Sequence, residues 1–560
     1  MKIALAQQNY HIGNFEANTI KIITAIQQAE AQGADLVVFT ELSICGYPPR
    51  DFLEFADFIK KSQACIQTIL PYTKNIGVVL GCPTVNPMVD GKDLYNSAYV
   101  LHQERIIGVQ HKTLLPTYDV FDEYRYFEPA HEWNCITFKN KKLAITVCED
   151  IWNLGDNPLY KICPMDELVK QSPDVMINIS ASPFDYTHVE DRKAIIKKNV
   201  AKYKLPMVYC NTVGSQTEIV FDGGSIVMDA SQNIVAELNY FQEDLQIVDL
   251  LDNGNFAQNI ITPAVDLPNQ ELAPTAYEAL LHIDKIYNAI VMGIRDYFQK
   301  MGFKKAILGS SGGIDSAVTL ALACQALGAE NVTAVLMPSQ FSTDHSVSDA
   351  EQLSKNLGNP YHTVAIKPIF DVFMQQLQPI YQDLPFSLAE ENIQARSRGN
   401  VLMAIANKFN YILLNTSNKS ELATGYGTLY GDMAGGIAVL GDTYKMQVYA
   451  LANYINRNQE IIPNHIIHKA PSAELRPNQK DSDSLPDYSI LDQILYQYIE
   501  RRQGPDEIKA MGFDAALVDR TLKMVNTNEY KRNQFCPIIR VSSKAFGVGR
   551  RMPIVGKYLG

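Results

Sequence analysis

Short apolar runs dominate the first 250 residues. The segments KIALAQ, ADLVVFTEL, GVVLGCP, SAYVL, RIIGVQH, LAITVCED, VMINISAS, MVYCNTVG and GSIVMDA are of strand length and rich in aliphatic and β-branched residues, the composition of buried strands. Helical periodicity surfaces near residues 18–32 and again near 187–204. Two β-rich halves with intervening helices predict an α/β sandwich. Residues 251–275, LDNGNFAQNIITPAVDLPNQELAPT, follow neither period and carry three prolines, so a linker is predicted there. From residue 276 longer helical stretches alternate with single strands, KAILG, VTAVLMP, YHTVAI and NYILLNTS. That alternation predicts a parallel sheet covered by helices on both faces. The pattern divides the chain into 1–250, a linker at 251–275, and 276–560.

The strand KAILG empties into GSSGGIDS, and an apolar helical segment, AVTLALACQAL, follows at once. A glycine-rich turn at a helix N-terminus is an anion cradle, because unpaired N–H groups and the helix dipole both favour phosphate. Glycine lets the backbone approach the ligand. No Gly-Lys-Ser/Thr follows, so the turn is not a Walker A loop. A bare SGG would read as an ordinary turn, but Asp315 and Ser316 stand in phase with it. The stretch resembles the SGGxDS loop of ATP pyrophosphatases, which implies ATP phosphates held from Gly309, Ser310, Ser311, Gly312, Gly313, Ile314, Asp315 and Ser316.

Bulk properties narrow the class. A chain of 560 residues exceeds one ordinary core, so two or more domains are expected. No run approaches the roughly 20 apolar residues that span a bilayer, and MKIALAQQNY turns polar too soon for a secretory signal. Nine cysteines without CxxC pairs suggest a reducing cytoplasm. His465 and His468 lack zinc-spaced partners and read as surface or loop residues. A formal charge of −12 argues against a broad nucleic-acid surface. The polar, proline-bounded RPNQKDSDSLPD at 476–487 reads as either a mobile flap or a solvated loop.

Three strands of the first half end in reactive side chains: Glu41 in VVFTEL, Lys112 in GVQHKTLLP, and Cys148 in LAITVCEDIW. Singly each reads as a core cysteine or a solvated rim residue. Jointly, and in that order, they resemble the nitrilase superfamily, whose αββα sandwich uses a Glu-Lys-Cys triad on amides and nitriles. A thiol needs a neighbouring base and a cation to react as thiolate. The resemblance implies Glu41 as base, Cys148 as nucleophile, and Lys112 stabilising first the thiolate and then the oxyanion. LPTYDVFDEYRYFEP resembles the block that glutamine-using members carry after their lysine, which makes Tyr118 a glutamine contact. Glu149 is placed to hold the substrate α-amino group, and Ser182 in NISASPF to contact glutamine. His188 stands where the family usually has Lys or Arg, and is a pH-dependent cation for the substrate carboxylate.

An amidase of this type joined to an SGGxDS synthetase resembles the glutamine-dependent NAD+ synthetase family over essentially the whole chain. That resemblance implies an α/β fold, with a nitrilase-like αββα sandwich followed by a Rossmann-like parallel-sheet domain of the adenine nucleotide α-hydrolase type. ENIQARSRGNVLMAIAN then supplies Asn392, Arg396 and Arg398 as contacts to nucleotide or deamido-NAD+. LLNTSNKSE places Thr416 near ATP and Glu421 on Mg2+ or the nicotinate end. YGDMAGG contributes Asp432, LGDTYKMQV Lys445, KAPSAEL Ser472, and NEYKRNQF Lys531. Mg2+ is expected on Asp315 and Glu421. The nicotinate carboxylate would be adenylated and then attacked by ammonia, which must arrive unprotonated. Small-molecule substrates, no nucleic acid, no membrane and a homo-oligomer follow from the same resemblance. Synthetases making GMP or asparagine, or modifying tRNA, are the nearest rivals, and a scaffold with one dead domain is the rival from another class.

Overall fold

The computed structural model describes residues 1–155, 158–257, 282–477, 479–483 and 485–558. Its contacts divide into two compact units, one comprising Met1–Phe184 and His188–Asn269, the other Asp185–Thr187 and Gln270–Gly560. Of the expected linker, residues 258–275 lie outside the described residues.

The first unit is built on two six-stranded sheets. One runs β14-β1-β2-β3-β4-β5, from β1 (Lys2–Gln7), β2 (Leu36–Val38), β3 (Gly77–Val85), β4 (Leu94–His102), β5 (Arg105–His111) and β14 (Asp244–Asp249). The other runs β13-β12-β9-β8-β7-β6, from β6 (Ile136–Phe138), β7 (Lys141–Val147), β8 (Val175–Ser180), β9 (Met207–Asn211), β12 (Ile226–Met228) and β13 (Ile234–Glu237). A small hairpin joins β10 (Val213–Gln216) to β11 (Ile219–Asp222). The period of two sorts each strand between layers. Ile3, Leu5, Val38 and Val100 of the first sheet meet Ile145, Val147, Ile177 and Val208 of the second in one core. The alternate residues Ala4, Ala6, Val37 and Val78 pack outward on Ile22, Ile26 and Ile66 of the helices Phe15–Ala31 and Ala56–Ile69. Ala144, Met176 and Met207 do the same against Ile196 and Val200 of the helix His188–Tyr203. Both faces of the strands are buried, which is why they read as continuous apolar runs. The result is the αββα sandwich.

The second unit carries a five-stranded sheet in the order β17-β16-β15-β18-β19, every pair parallel. Its strands are β15 (Ala306–Gly309), β16 (Val332–Leu336), β17 (Tyr361–Thr363), β18 (Ile412–Asn415) and β19 (Ile437–Ala438). The apolar helix Ile314–Leu327 is buried along most of its length, and Leu402 and Ala406 of the helix Leu388–Phe409 join Ile307, Val335 and Leu413 in the core. β15 has β16 on one side and β18 on the other, so the chain leaves it at the point where the winding reverses. Ligands of such sheets bind beyond the carboxyl ends of the strands at that point. Among the described residues no helix is long and apolar enough to cross a membrane.

Candidate active sites

Glu41 follows β2, while Lys112 directly follows β5 and Cys148 directly follows β7. The sandwich brings these strand ends together. Lys112 Nζ donates to Glu41 Oε1 and to Glu123 Oε1, both at 2.7 Å, and the three side chains are 0%, 0% and 6% exposed. Asn96 Nδ2 donates to Glu41 Oε1 at 2.7 Å, the Ala181 amide to Glu41 Oε2 at 3.0 Å, and the Tyr47 hydroxyl to Glu123 Oε1 at 2.7 Å. Cys148 is buried and adopts φ +45° as the strand breaks into a single 3-10 turn. Left-handed backbone at a non-glycine is a strained conformation held by its surroundings, as at many reactive sites. Asp150 supplies that hold, accepting from the amides of Thr113 at 2.9 Å, Leu114 at 2.8 Å and Val147 at 2.9 Å. It thereby clamps the lysine loop to the nucleophile turn.

Burial, and then the charge of Glu41, push the Cys148 thiol well up, against the pull of Lys112. The thiol therefore rests protonated beside a carboxylate. Burial would lower Lys112, but Glu123 and Glu41 outweigh it and hold the ammonium charged. Burial raises Glu123 as well, with Lys112 opposing. Removing one member of such a buried group would leave an uncompensated charge, at about 3–5 kcal/mol.

The neighbouring side chains form a polar rim. Glu149 accepts the Tyr118 hydroxyl at 3.0 and 2.9 Å and the Tyr160 hydroxyl at 3.3 Å. Burial pushes its carboxyl up to about 7, against Lys112 and the two tyrosines. Ser182 Oγ lies 2.9 Å from His188 Nε2, the Ser182 amide donates to Asn211 Oδ1 at 2.9 Å, and His188 stacks on Trp152 at 4.9 Å. Of the seven sequence-derived residues of this half, Glu41 meets Lys112, Tyr118 meets Glu149 and Ser182 meets His188, while Cys148 directly precedes Glu149 on the nucleophile turn. Sequence reasoning missed Glu123, Asp150, Asn96, Tyr160 and Trp152. Glu123 sits in a block with Asp119, Asp122 and Glu128, and nothing local marks which carboxylate turns inward.

In the second unit the loop after β15 opens onto a cavity of about 940 Å3. Gly309, Ser310, Ser311, Gly313, Ile314, Asp315 and Ser316 line it; so do Asn392, Arg396, Arg398, Thr416, Glu421, Asp432, Lys445, Ser472 and Lys531. Gly312 does not. It has φ +74°, and a Cβ there would lie 2.1 Å from the Ser346 carbonyl oxygen, so close packing of the loop on its neighbour requires glycine there. Ser310 Oγ is buried and finds no hydrogen-bond partner among the described residues, an open donor at the phosphate loop.

Asp315 Oδ1 accepts Asn418 Nδ2 at 2.8 Å, and Asp315 Oδ2 meets Lys445 Nζ at 2.5 Å. Lys445 also stands 3.7 Å from Glu421. Asn418 and Glu421 exchange side-chain bonds to each other's backbone amides as the capping box of the helix Lys419–Thr424, which fixes Glu421, and the Asn418 amide that holds Asp315, at a helix start. Burial, then Asp315, raise Glu421 well above the usual range. Across the cavity, Arg396 Nε donates to the Leu429 carbonyl at 3.2 Å and Arg398 Nε to that of Met337 at 3.1 Å. Asn392 Oδ1 accepts the Thr428 hydroxyl at 2.7 Å, and Asp432 Oδ1 the Thr428 amide at 2.6 Å. Lys531 Nζ donates to the carbonyls of Gly425 and Gly427 at 2.7 and 2.9 Å. Ser472 is turned inward on its own loop, donating to the Gln479 carbonyl at 2.6 Å. His465 and His468 are exposed on the short helix Asn464–His468, with His465 Nδ1 2.6 Å from Asp349. Within the described part of 476–487, Asp481 is buried, so that part is not wholly solvated.

An amidase-type cysteine centre and a phosphate loop on a parallel sheet define an amide-forming ligase with its own nitrogen supply. A carbon-nitrogen hydrolase family model matches residues 2–253 and an NAD synthase model residues 286–535. A glutamine-dependent NAD(+) synthetase of Synechocystis is 43% identical over 99% of this chain and 98% of its own. One of Thermotoga maritima is 39% identical over 100% of this chain and 99% of its own. The structure of the Acinetobacter baumannii glutamine-dependent NAD+ synthetase in complex with ADP superposes with a TM-score of 0.76 at 39% identity, covering 99% of this chain and 98% of that one. The chain belongs to the glutamine-dependent NAD(+) synthetases.

Proposed function

We infer that this chain amidates deamido-NAD+ to NAD+ with ATP, using ammonia from glutamine and releasing AMP, pyrophosphate and glutamate, as the last step of NAD+ biosynthesis. The observation that carries the reading is the coexistence of the Glu41–Lys112–Cys148 centre and the cavity over the phosphate loop in one chain. In the first unit Glu41 takes the thiol proton as Cys148 Sγ attacks the glutamine side-chain carbonyl. Lys112 faces the developing oxyanion. Glu41 returns the proton to the departing ammonia, then activates the water that releases glutamate from the acyl-cysteine. Glu123 keeps Lys112 charged and aimed throughout. Glu149 and Tyr118 are proposed to receive the substrate α-ammonium, and Ser182 and His188 its α-carboxylate.

In the second unit the loop from Gly309 to Ser316, with Lys445, Thr416 and Ser472, is proposed to hold the ATP phosphates. Asn392, Arg396, Asp432 and Lys531 are proposed to hold deamido-NAD+. Its nicotinate carboxylate attacks the α-phosphorus, pyrophosphate leaves, and ammonia displaces AMP from the mixed anhydride. Among the described residues no three His, Cys, Asp or Glu side chains are grouped to hold a metal ion. Asp315 and Glu421 nevertheless fit Mg2+, which is typically bound by one or two carboxylates plus substrate phosphates. When bound, Mg2+ supplies charge neutralisation at the phosphates.

We also propose domain bounds of 1–250 and 276–560, a cytoplasmic site of action on small molecules without nucleic acid or membrane, and a homo-oligomer, which light scattering would size. The deciding assay is NAD+ formation from deamido-NAD+ and ATP with glutamine or ammonium as donor. Deamido-NAD+ should stimulate pyrophosphate release. Stimulation by xanthosine monophosphate or aspartate instead would refute the reading.

A further inference from the structure

The polar segment 476–487 sends a carboxylate inward. Asp481 is 4% exposed and lines the nucleotide cavity. Its Oδ1 accepts the Tyr426 hydroxyl at 3.2 Å and its Oδ2 the Tyr488 hydroxyl at 3.1 Å. The face of the same Tyr488 ring lies toward Lys445, whose Nζ is 5.3 Å from the ring centre, a cation–π distance. Tyr488 thus carries Asp481 on its hydroxyl and Lys445 on its face. Lys445 meets Asp315 at 2.5 Å and Glu421 at 3.7 Å, and it also feels the charge of Asp481. Two carboxylates approach this buried ammonium directly, and a third reaches it through the shared Tyr488 ring.

This inference rests on the reading above, in which Asp315 and Glu421 serve a divalent cation and the phosphates. Carboxylates recruited in that way neutralise Lys445, whose side chain is 2% exposed, less fully, and the phosphates that Lys445 meets share their charge with the cation. A buried charge deprived of its partners is strongly unfavourable. Asp481 remains on the hydroxyl of the tyrosine whose face Lys445 meets, and two tyrosines rather than Lys445 hold it in place.

We propose that Asp481 is a positioning residue of the synthetase reaction, taking over the charge of Lys445 when Asp315 and Glu421 turn to the cation and phosphates. Lys445 then stays aimed into the cavity instead of holding Asp315 captive. Asp481 acts through Lys445 and is not itself a ligand of the cation.

The test is Mn2+ binding to the full-length enzyme in the presence of ADP, followed by electron paramagnetic resonance, beside ammonium-supported NAD+ formation as Mg2+ is varied. Asp481→Asn is expected to weaken Mn2+ binding roughly tenfold, at the low end of the 10–100-fold losses seen for outer partners of metal sites. The Mg2+ concentration for half-maximal rate should rise by a similar factor. In a Lys445→Met background the same substitution should change Mn2+ binding by less than about twofold, because the two changes share one route. Tyr488→Phe keeps the ring and removes one hydrogen bond; it provides the test if Asp481→Asn folds poorly, with about a threefold weakening expected. Unchanged Mn2+ binding in these variants overturns the proposal. So does equal weakening with and without Lys445, since Asp481 would then act on the cation directly. If Asp315→Asn binds Mn2+ and ADP like the wild type, the cation reading itself is wrong and the proposal falls with it.

Discussion

The Cys148 centre holds its charges in contact, with Lys112 against two carboxylates at 2.7 Å and all of them shielded from solvent. The cavity over the phosphate loop does the reverse: it spreads charged side chains around about 940 Å3, leaves Ser310 Oγ without a partner among the described residues, and sets Asp315 and Glu421 on Lys445 with Asp481 on the tyrosine that Lys445 faces. The first site is electrostatically complete before substrate arrives, as suits a small substrate and a nucleophile that must be poised in advance. The second is complete only with its ligands, as suits large anionic substrates that bring their own charge. A preorganised centre fails through loss of any member; a ligand-completed one fails through loss of the groups that meet the ligand.

Substitutions can break that contrast, and the largest effects fall on the reacting groups. Cys148→Ala should abolish glutamine-supported NAD+ formation, by ~10³-fold or more, while ammonium-supported synthesis persists. Asp315→Ala should lose both. Parallel rate measurements with the two donors check this, and survival of glutamine use in Cys148→Ala would sink the assignment. Glu123→Gln comes next. It leaves nucleophile and base intact but removes a charge from Lys112, so glutamine-dependent kcat should fall about 10²-fold with ammonium use retained; a change confined to glutamine KM would instead make Glu123 a binding group.

The pH dependence separates the units more gently. Glu149 is pushed up to about 7 by burial, so it is ionised above that pH and protonated below it. A protonated Glu149 cannot attract the substrate ammonium, and glutamine KM should rise roughly tenfold from pH 8 to pH 6. Ammonium-supported kinetics, corrected for free ammonia, should lack that step. A flat glutamine KM would remove Glu149 from substrate binding. The smallest effect is expected at Ser472, whose hydroxyl is spent on the Gln479 carbonyl. Ser472→Ala should raise the KM for ATP by no more than about threefold, because its hydroxyl must give up the Gln479 carbonyl to meet the phosphates; an unchanged KM would remove Ser472 from phosphate binding.

Much of this was legible beforehand because apolar runs and strand-end chemistry are local. LAITVCED reads as a buried strand delivering a cysteine, and β7 ends at Val147 with Cys148 next. GSSGGIDS reads as a turn into a helix, and the helix begins at Ile314. Gly312 takes a positive φ and packs against Ser346. Its φ follows from glycine, but its neighbour is set by a chain segment more than thirty residues away.

Glu123 and Asp481 mark the same limit more strongly. Each is one carboxylate among several in a polar segment, and at the level of sequence neither differs from its neighbours. What the chain determines by itself is periodicity, turn chemistry and the kinds of reactive group at strand ends, since these depend on residues within a few positions of one another. Tertiary structure alone decides that Glu123 reaches Lys112 and that Asp481 shares Tyr488 with Lys445. A buried carboxylate is tolerable only where partners from distant strands and helices converge on it, and that convergence exists only after the sheets have closed.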